Sequence, residues 1–85
     1  FFMFTVYILY SATFQKIYIG FTANLEQRFL SHNELGKKGW TIRFRPWEIL
    51  HTEVYSTKAE AMTREKQLKS GAGRKWIQET LLNDR

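Results

Sequence analysis

Three side chains in this sequence have types and spacing that could support phosphate or proton chemistry. Arg28 and His32 stand four positions apart, so on a helix they share one face. Arg28 borders the apolar stripe marked by Leu25 and Phe29, where a guanidinium can grip a phosphate with two N–H groups. His32 can exchange a proton near neutral pH. The alternative for this pair is a solvated basic turn.

A carboxylate follows in a later helix. The buried stripe of that helix is predicted from the spacing of its apolar residues Ala61, Met62 and Leu68. Glu65 falls on the same face. An ionised carboxylate that points inward needs a cation, because burying an unpaired charge is costly. That cation is either a metal ion or a basic side chain. Lys69, four positions on, is the basic side chain that could pair with it.

Two tyrosines lie in segments that read as strands. Alternation puts Val6 and Ile8 on one face of the first segment and Tyr7 on the other, and Tyr18 likewise opposes its apolar neighbours. Both tyrosines therefore fall on the more polar side, although either could be a core aromatic with a bonded hydroxyl. Gly20 inside the second strand indicates close approach by another backbone or a ligand.

The segment Gly36–Arg45 mixes cations with aromatic rings. Lys37, Lys38 and Arg43 could meet phosphates, and Trp40 could stack on a base. With Gly20, these four residues form the predicted substrate-binding set. The alternative is a solvated loop whose aromatic rings fold back onto the core.

These residues need a framework, and the patterns predict one α+β domain over residues 4–82. Strands are predicted at Phe4–Tyr10, Lys16–Phe21 and Trp47–Tyr55, with the first two forming a hairpin. Helices are predicted at Leu25–Glu34, at 58 to 69 or 70, and at Arg74–Leu82. Capping boxes at Asn24/Gln27 and Thr57/Glu60 open the first two helices, and Gly71 is predicted to end the second. The order is ββαβαα.

Composition narrows the class of protein. The chain has 85 residues, with 7 Phe, 4 Tyr and 3 Trp to build a core and no cysteine for a disulfide or thiolate metal site. Lack of cysteine fits a reducing compartment, so we expect a cytoplasmic protein, and a monomer. The net charge of +5 favours a polyanionic partner. No apolar run is long enough to cross a membrane, and no P-loop, zinc box or nucleophile elbow is present.

The joint order of these residues resembles the GIY-YIG nuclease family. Thr5-Val6-Tyr7 stands at the first motif, with Thr5 replacing its glycine, and Tyr18-Ile19-Gly20 at the second. The likeness is to the small stand-alone branch, similar to the N-terminal nuclease domain of excinuclease C. It implies a small three-stranded antiparallel sheet flanked by helices. Many members carry an asparagine about a dozen residues after the glutamate, whereas this chain has Lys75-Trp76-Ile77-Gln78 there.

By resemblance, the chain is a divalent-metal-dependent endonuclease acting on DNA, with DNA repair as one setting. Tyr7, Tyr18, Arg28, His32 and Glu65 are then catalytic, with Glu65 holding Mg²⁺ or Mn²⁺ and Arg28 stabilising the transition state. Tyr18 is the first choice of base and His32 the second. A protein partner could direct the enzyme to its target. The alternative is a non-catalytic nucleic-acid-binding module on the same fold.

Overall fold

The fold is an antiparallel sheet with helices against it. The computed structural model describes residues 3–30, 32 and 40–83. Its strands are β1 Phe4–Ser11, β2 Lys16–Thr22 and β3 Glu48–Tyr55. Its helices are α1 Leu25–Leu30, α2 Lys58–Lys69 and α3 Gly71–Trp76. The strand order is β2-β1-β3, so the predicted α+β fold and its ββαβαα order are confirmed.

Strand alternation produces two apolar clusters, one on each face of the sheet. On the first face, Val6, Ile8 and Ile19 pack against Ala61 and Leu68 of α2 and against Ile77, which follows α3. On the second face, the buried residues are Tyr7, Leu9 and Trp47. We call the second group the tyrosine-side core. The prediction that Tyr7 faces away from Val6 and Ile8 is confirmed. The prediction that the tyrosine face is the more polar one is wrong, because Leu9 and Trp47 are buried there.

The helices begin where the capping residues predict. The Gln27 N–H donates to Asn24 Oδ1 at 3.1 Å, and the Glu60 N–H donates to Thr57 Oγ1 at 3.2 Å. The prediction that Gly71 ends α2 is wrong. Ser70 both ends α2 and opens α3, because its hydroxyl oxygen accepts from the Gly73 N–H at 3.2 Å.

Two further predictions are wrong, one about the start of the last helix and one about the buried side of α2. The last helical region begins at Gly71, three residues before the predicted Arg74, and continues after α3 as a π-helical turn at Ile77–Leu81. Met62 is 39% exposed and does not belong to the buried stripe of α2. At about 100° per residue, Ala61, Glu65 and Leu68 share one side of the helix and Met62 does not.

A polar network joins β3 to α2. The Glu53 carboxylate accepts from Arg64 Nε at 2.7 Å and from the Tyr55 hydroxyl at 2.7 Å, and it lies 2.8 Å from His51 Nε2. The Arg64 guanidinium also lies over the Trp76 ring, 5.4 Å from its centroid. The hydrogen bonds from Arg64 lower the pKa of Glu53 from 4.5 to about 2. His51 therefore takes part in the contacts that connect β3 to α2.

Glu53→Gln is expected to destabilise the fold by about 1–2 kcal/mol at neutral pH, because Arg64 loses its ionised partner at a partly exposed site. A depressed carboxyl pKa adds stability above the unfolded value, and that stability is lost as pH falls toward the folded value. The gap between wild type and variant should therefore close between pH 4.5 and about 2. Thermal unfolding at several pH values measures it. Glu79→Gln removes a carboxylate charge from an exposed site and should show no such gap.

Candidate active site

Three rings meet on the tyrosine side of the sheet. Tyr7 comes from β1, Tyr18 from β2, and His32 lies beyond the end of α1. The Tyr7 and Tyr18 ring centroids are 6.2 Å apart, and the Tyr18 and His32 centroids are 4.7 Å apart. The Tyr7 hydroxyl lies 3.0 Å from His32 Nε2. Residues that are distant in sequence are thus brought into one cluster by the β1–β2 pairing and by the segment after α1.

The 3-10 turn at Trp40–Phe44 contacts the His32 ring through Thr41. The His32 Nδ1 lies 3.0 Å from Thr41 Oγ1, and the Thr41 carbonyl accepts from Trp47 Nε1 at 2.8 Å. The Arg45 Nε donates to the His32 carbonyl at 2.7 Å. Only 6% of His32 is exposed, so both ring nitrogens are committed inside the protein.

The charge on His32 follows from this burial. Burial lowers the pKa of His32, and the positive charges of Arg28 and Arg45 lower it further. The ring is therefore neutral at pH 7, with one nitrogen donating and the other accepting. Fully buried polar groups of this kind persist because each has a partner.

Arg28 lies beside both tyrosines. Interaction with the Tyr7 hydroxyl, and to a smaller extent with Tyr18, raises the pKa of the Arg28 guanidinium. Burial raises the pKa of Tyr7, and Arg28 opposes that rise. The Tyr7 and Thr41 hydroxyls face the two ring nitrogens of His32, and a hydroxyl can donate or accept, so both tautomers of the neutral ring are satisfied.

Gly20 explains how Tyr7 reaches this position. Tyr7 and Gly20 are directly paired in the β1–β2 register. A Cβ on Gly20 would lie 2.7 Å from the Tyr7 hydroxyl oxygen and 3.3 Å from Cε2 of Tyr18. The close approach that the glycine predicted is therefore made by a side chain of this chain. A role for Gly20 in binding substrate stays a prediction.

Gly20→Ala is expected to push the Tyr7 ring away from His32, because Tyr7 is fully buried and cannot yield freely. The cost should be about 1–3 kcal/mol, which lowers the melting temperature by several degrees or more in a domain of this size. Thermal unfolding measures it. The same substitution in a Tyr7→Leu background should cost clearly less, since both clashing atoms of Tyr7, the hydroxyl oxygen and Cζ, are gone. Additive effects of the two substitutions would contradict the clash.

Glu65 lies on the sheet-facing side of α2, with its side chain 20% exposed. Its carboxylate is 3.7 Å from Lys69 Nζ, so the ion pair anticipated as an alternative is present. Burial is the main cause of the raised pKa of Tyr7, and the charge of Glu65 is the smallest of the contributions to it. Of the five predicted catalytic residues, the structure brings Tyr7, Tyr18 and His32 into contact and places Arg28 beside them. Glu65 lies on the side of α2 that carries Ala61 and Leu68, which pack against the other face of the sheet. A role for Glu65 at the tyrosine cluster stays a prediction.

A single carboxylate suits a hard cation. Among the described residues, no group of three or more His, Cys, Asp or Glu side chains could hold a metal ion. Such a site does not fit zinc, which takes several protein ligands. It fits Mg²⁺ or Mn²⁺ in kind, because Mg²⁺ keeps several waters and binds through one or two carboxylates plus substrate phosphates. Glu65 is the side chain that would hold it.

The predicted substrate-binding residues divide into two groups. Arg43 is exposed, and its guanidinium carbon lies 5.8 Å from the Phe44 ring centroid. Lys37, Lys38 and the Trp40 side chain lie outside what the structure describes. Sequence reasoning missed Thr41, which fixes His32. Nothing in the local pattern marked it, because its contact depends on how the 3-10 turn returns to the site.

Two tyrosines and a histidine are in contact on one face of the sheet, with an arginine beside them, and the family to which the chain belongs is of nuclease type. The chain belongs to the GIY-YIG family, since the model of the GIY-YIG catalytic domain matches residues 3–78. Its relatives include UPF0213 proteins, a small stand-alone group of that family. Among the described residues, no helix is long and apolar enough to cross a membrane.

The similarity to UPF0213 proteins holds in sequence and in fold. One from Natronomonas pharaonis is 37% identical over 65 residues, which cover 76% of this chain and 75% of that protein. One from Oceanobacillus iheyensis is 42% identical over 56 residues, covering 65% of this chain and 64% of that protein. The solution NMR structure of a UPF0213 protein from Bacillus halodurans matches with a TM-score of 0.56 and 26% identity, over 94% of this chain and 84% of that one.

Proposed function

We propose that this protein is an endonuclease that hydrolyses DNA phosphodiester bonds with the help of a divalent cation held by Glu65. The observation that carries the proposal is the hydrogen-bonded series from Tyr7 through His32 to Thr41, with the Tyr18 ring 4.7 Å from the His32 ring between centroids. Arg28 lies beside this cluster, where burial lowers the pKa of His32 and the positive charge of Arg28 lowers it further. The family match and the net charge of +5 support a nucleic-acid substrate.

Arg28 is the group that meets the phosphate in this proposal. It is exposed, unlike Tyr7 and His32, and its positive charge lies close enough to Tyr7 and Tyr18 for each of them to raise its pKa. A guanidinium held in place beforehand stabilises the charge that develops on a phosphate during hydrolysis without reorganising at that moment. Tyr7 and His32 act as positioning residues, because the buried bond between them sets where Arg28 lies.

We assign the base to Tyr18. It is partly exposed, whereas His32 is buried with both ring nitrogens engaged and cannot meet a water directly. In hydrolysis, the water oxygen bonds to phosphorus as the bond from phosphorus to the 3′ oxygen breaks. The phenolate form of Tyr18 accepts the proton that the attacking water loses, and the 3′ oxygen leaves as an alkoxide that takes up a proton from solvent water. A cation bound by Glu65 would supply charge stabilisation at the phosphate and the leaving oxygen.

The test is a nicking assay on supercoiled plasmid DNA with Mg²⁺ or Mn²⁺. Wild-type protein is expected to convert the plasmid to open circles with at least one of the two metals and to stop when EDTA is added. Protein that binds the plasmid but never nicks it with either metal would contradict the proposal. It would then act as a non-catalytic nucleic-acid-binding module.

A further inference from the structure

A second aromatic and cationic cluster lies at the tip of the β1–β2 hairpin. Phe14 stands in the turn between the two strands and is 46% exposed, although turns of this kind usually carry polar residues. Its ring meets Phe44 in a T-shaped contact with centroids 5.5 Å apart. That contact covers part of the Phe14 ring and leaves nearly half of the residue open to solvent. An aromatic ring held in place and open on one side is a stacking surface.

Two cations converge on the same cluster from different elements. Lys16 Nζ, at the start of β2, lies 5.6 Å from the Phe44 ring centroid, and the Arg43 guanidinium lies 5.8 Å from it. Both side chains are exposed. Because Phe44 holds Lys16 and Arg43 near Phe14, the open ring is flanked by positive charge. A stacking ring beside cations is the arrangement with which proteins bind single-stranded nucleic acid.

The cluster is continuous with the candidate active site. Thr41 and Phe44 belong to the same 3-10 turn, three positions apart, where side chains lie roughly in line. Thr41 contacts His32, and Phe44 packs against the tyrosine-side core and contacts Phe14. One rigid turn therefore connects the stacking surface with the residues proposed to act on the phosphate.

We propose that Phe14 stacks on an unpaired base of the substrate while Lys16 and Arg43 contact the flanking phosphates. The protein thereby prefers single-stranded DNA, or duplex DNA with unpaired bases, over intact duplex. This preference deepens the proposed nuclease function and rests on it for the nature of the substrate. It adds a specificity-determining surface outside the tyrosine and arginine cluster.

The test measures binding in EDTA, where no cleavage can occur. Fluorescence anisotropy with a labelled single strand and its matched duplex is compared for wild type, Phe14→Ala, Phe14→Leu and Phe14→Trp. Stacking on an aromatic ring is worth about 1–3 kcal/mol per base, or roughly 5- to 150-fold in Kd at 1.4 kcal/mol per tenfold. Phe14→Ala and Phe14→Leu should weaken single-strand binding by that factor and change duplex binding less than about twofold. Phe14→Trp should keep the wild-type affinity.

Two further measurements sharpen the result. A single strand that carries 2-aminopurine should lose fluorescence on binding wild type but not Phe14→Leu, because only an aromatic ring stacks on the base. Lys16→Ala and Arg43→Ala should each reduce the salt slope for the single strand by about 0.7, whereas Lys75→Ala on α3 should leave the slope unchanged. Val54→Ala removes an apolar side chain that is 55% exposed on β3 and should change neither affinity.

The outcomes separate this inference from the nuclease proposal. If Phe14→Leu binds the single strand as tightly as wild type, the stacking surface is refuted even when the wild type nicks plasmid. Equal losses on single strand and duplex also refute it. If the preference and its loss are observed but no metal supports nicking, the stacking surface stands and the nuclease proposal fails. A wild type with no affinity for single strands overturns the inference and makes the cluster a candidate for docking a protein.

Discussion

Arg28→Ala is expected to lower the rate of plasmid nicking by about 10²–10³, the usual cost of removing one preorganised stabiliser of transition-state charge. We expect a large effect because Arg28 is an exposed cation beside Tyr7 and Tyr18. Initial rates under saturating metal measure the change. Lys75→Ala is the matched control, since it removes one positive charge from an exposed site away from the tyrosine cluster. Equal losses in the two variants would mean that Arg28 has no special role at the phosphate.

Arg28→Lys separates charge from geometry. Lysine keeps the positive charge but lacks the planar fork that reaches two hydroxyls, so nicking should fall between wild type and Arg28→Ala. The positioning role that we propose for His32 requires the neutral ring, so nicking should be lost as pH falls through the lowered pKa of His32, below its ordinary 6.5. Burial is the first cause of that lowering and Arg28 the second. The acid limb of the pH profile should therefore move to higher pH in Arg28→Ala and stay in place in Arg28→Lys.

The part of the site that lies on strands could be predicted from the sequence. Side chains alternate strictly along a strand, so the placement of Tyr7 opposite Val6 and Ile8 follows from position alone. The glycine at position 20 likewise predicted a close approach, and the group that approaches it is the Tyr7 side chain on the paired strand. The capping boxes at Asn24 and Thr57 were equally local, since each depends on a side chain three residues away. These features need no knowledge of the distant chain.

The environment of the tyrosines could not be predicted in this way. Their face seemed polar in strand sequence, but Trp47, which precedes β3, and partly buried residues of α1 cover it and make it a second core. The contact of Thr41 with His32 depends on the same long-range packing. Ser70 illustrates a different failure. A serine followed by glycine suggests a helix end, yet the hydroxyl that ends α2 also begins α3.

Glu65→Gln is expected to lower nicking by at least about 10², because the variant keeps the shape of the side chain and removes the charge that a hard cation needs. Metal affinity should fall in parallel, as measured with Mn²⁺ by isothermal titration calorimetry. The melting temperature should change little, since glutamine keeps the shape of the side chain and the partly exposed i,i+4 ion pair with Lys69 contributes only about 0.3–0.5 kcal/mol. DNA binding in EDTA should hold or rise, because a negative charge near the phosphate is gone.

Lys69→Gln decides between the two readings of Glu65. If the carboxylate serves only to pair with Lys69 across 3.7 Å, either substitution breaks the same contact and the two variants should behave alike. If Glu65 holds a cation, Lys69→Gln removes a competitor, and its Mn²⁺ affinity should equal or exceed that of wild type while nicking persists. Matching losses in both variants would refute the metal role. Loss in Glu65→Gln alone would assign the cation to Glu65, because the only difference between the variants is which side of the pair remains.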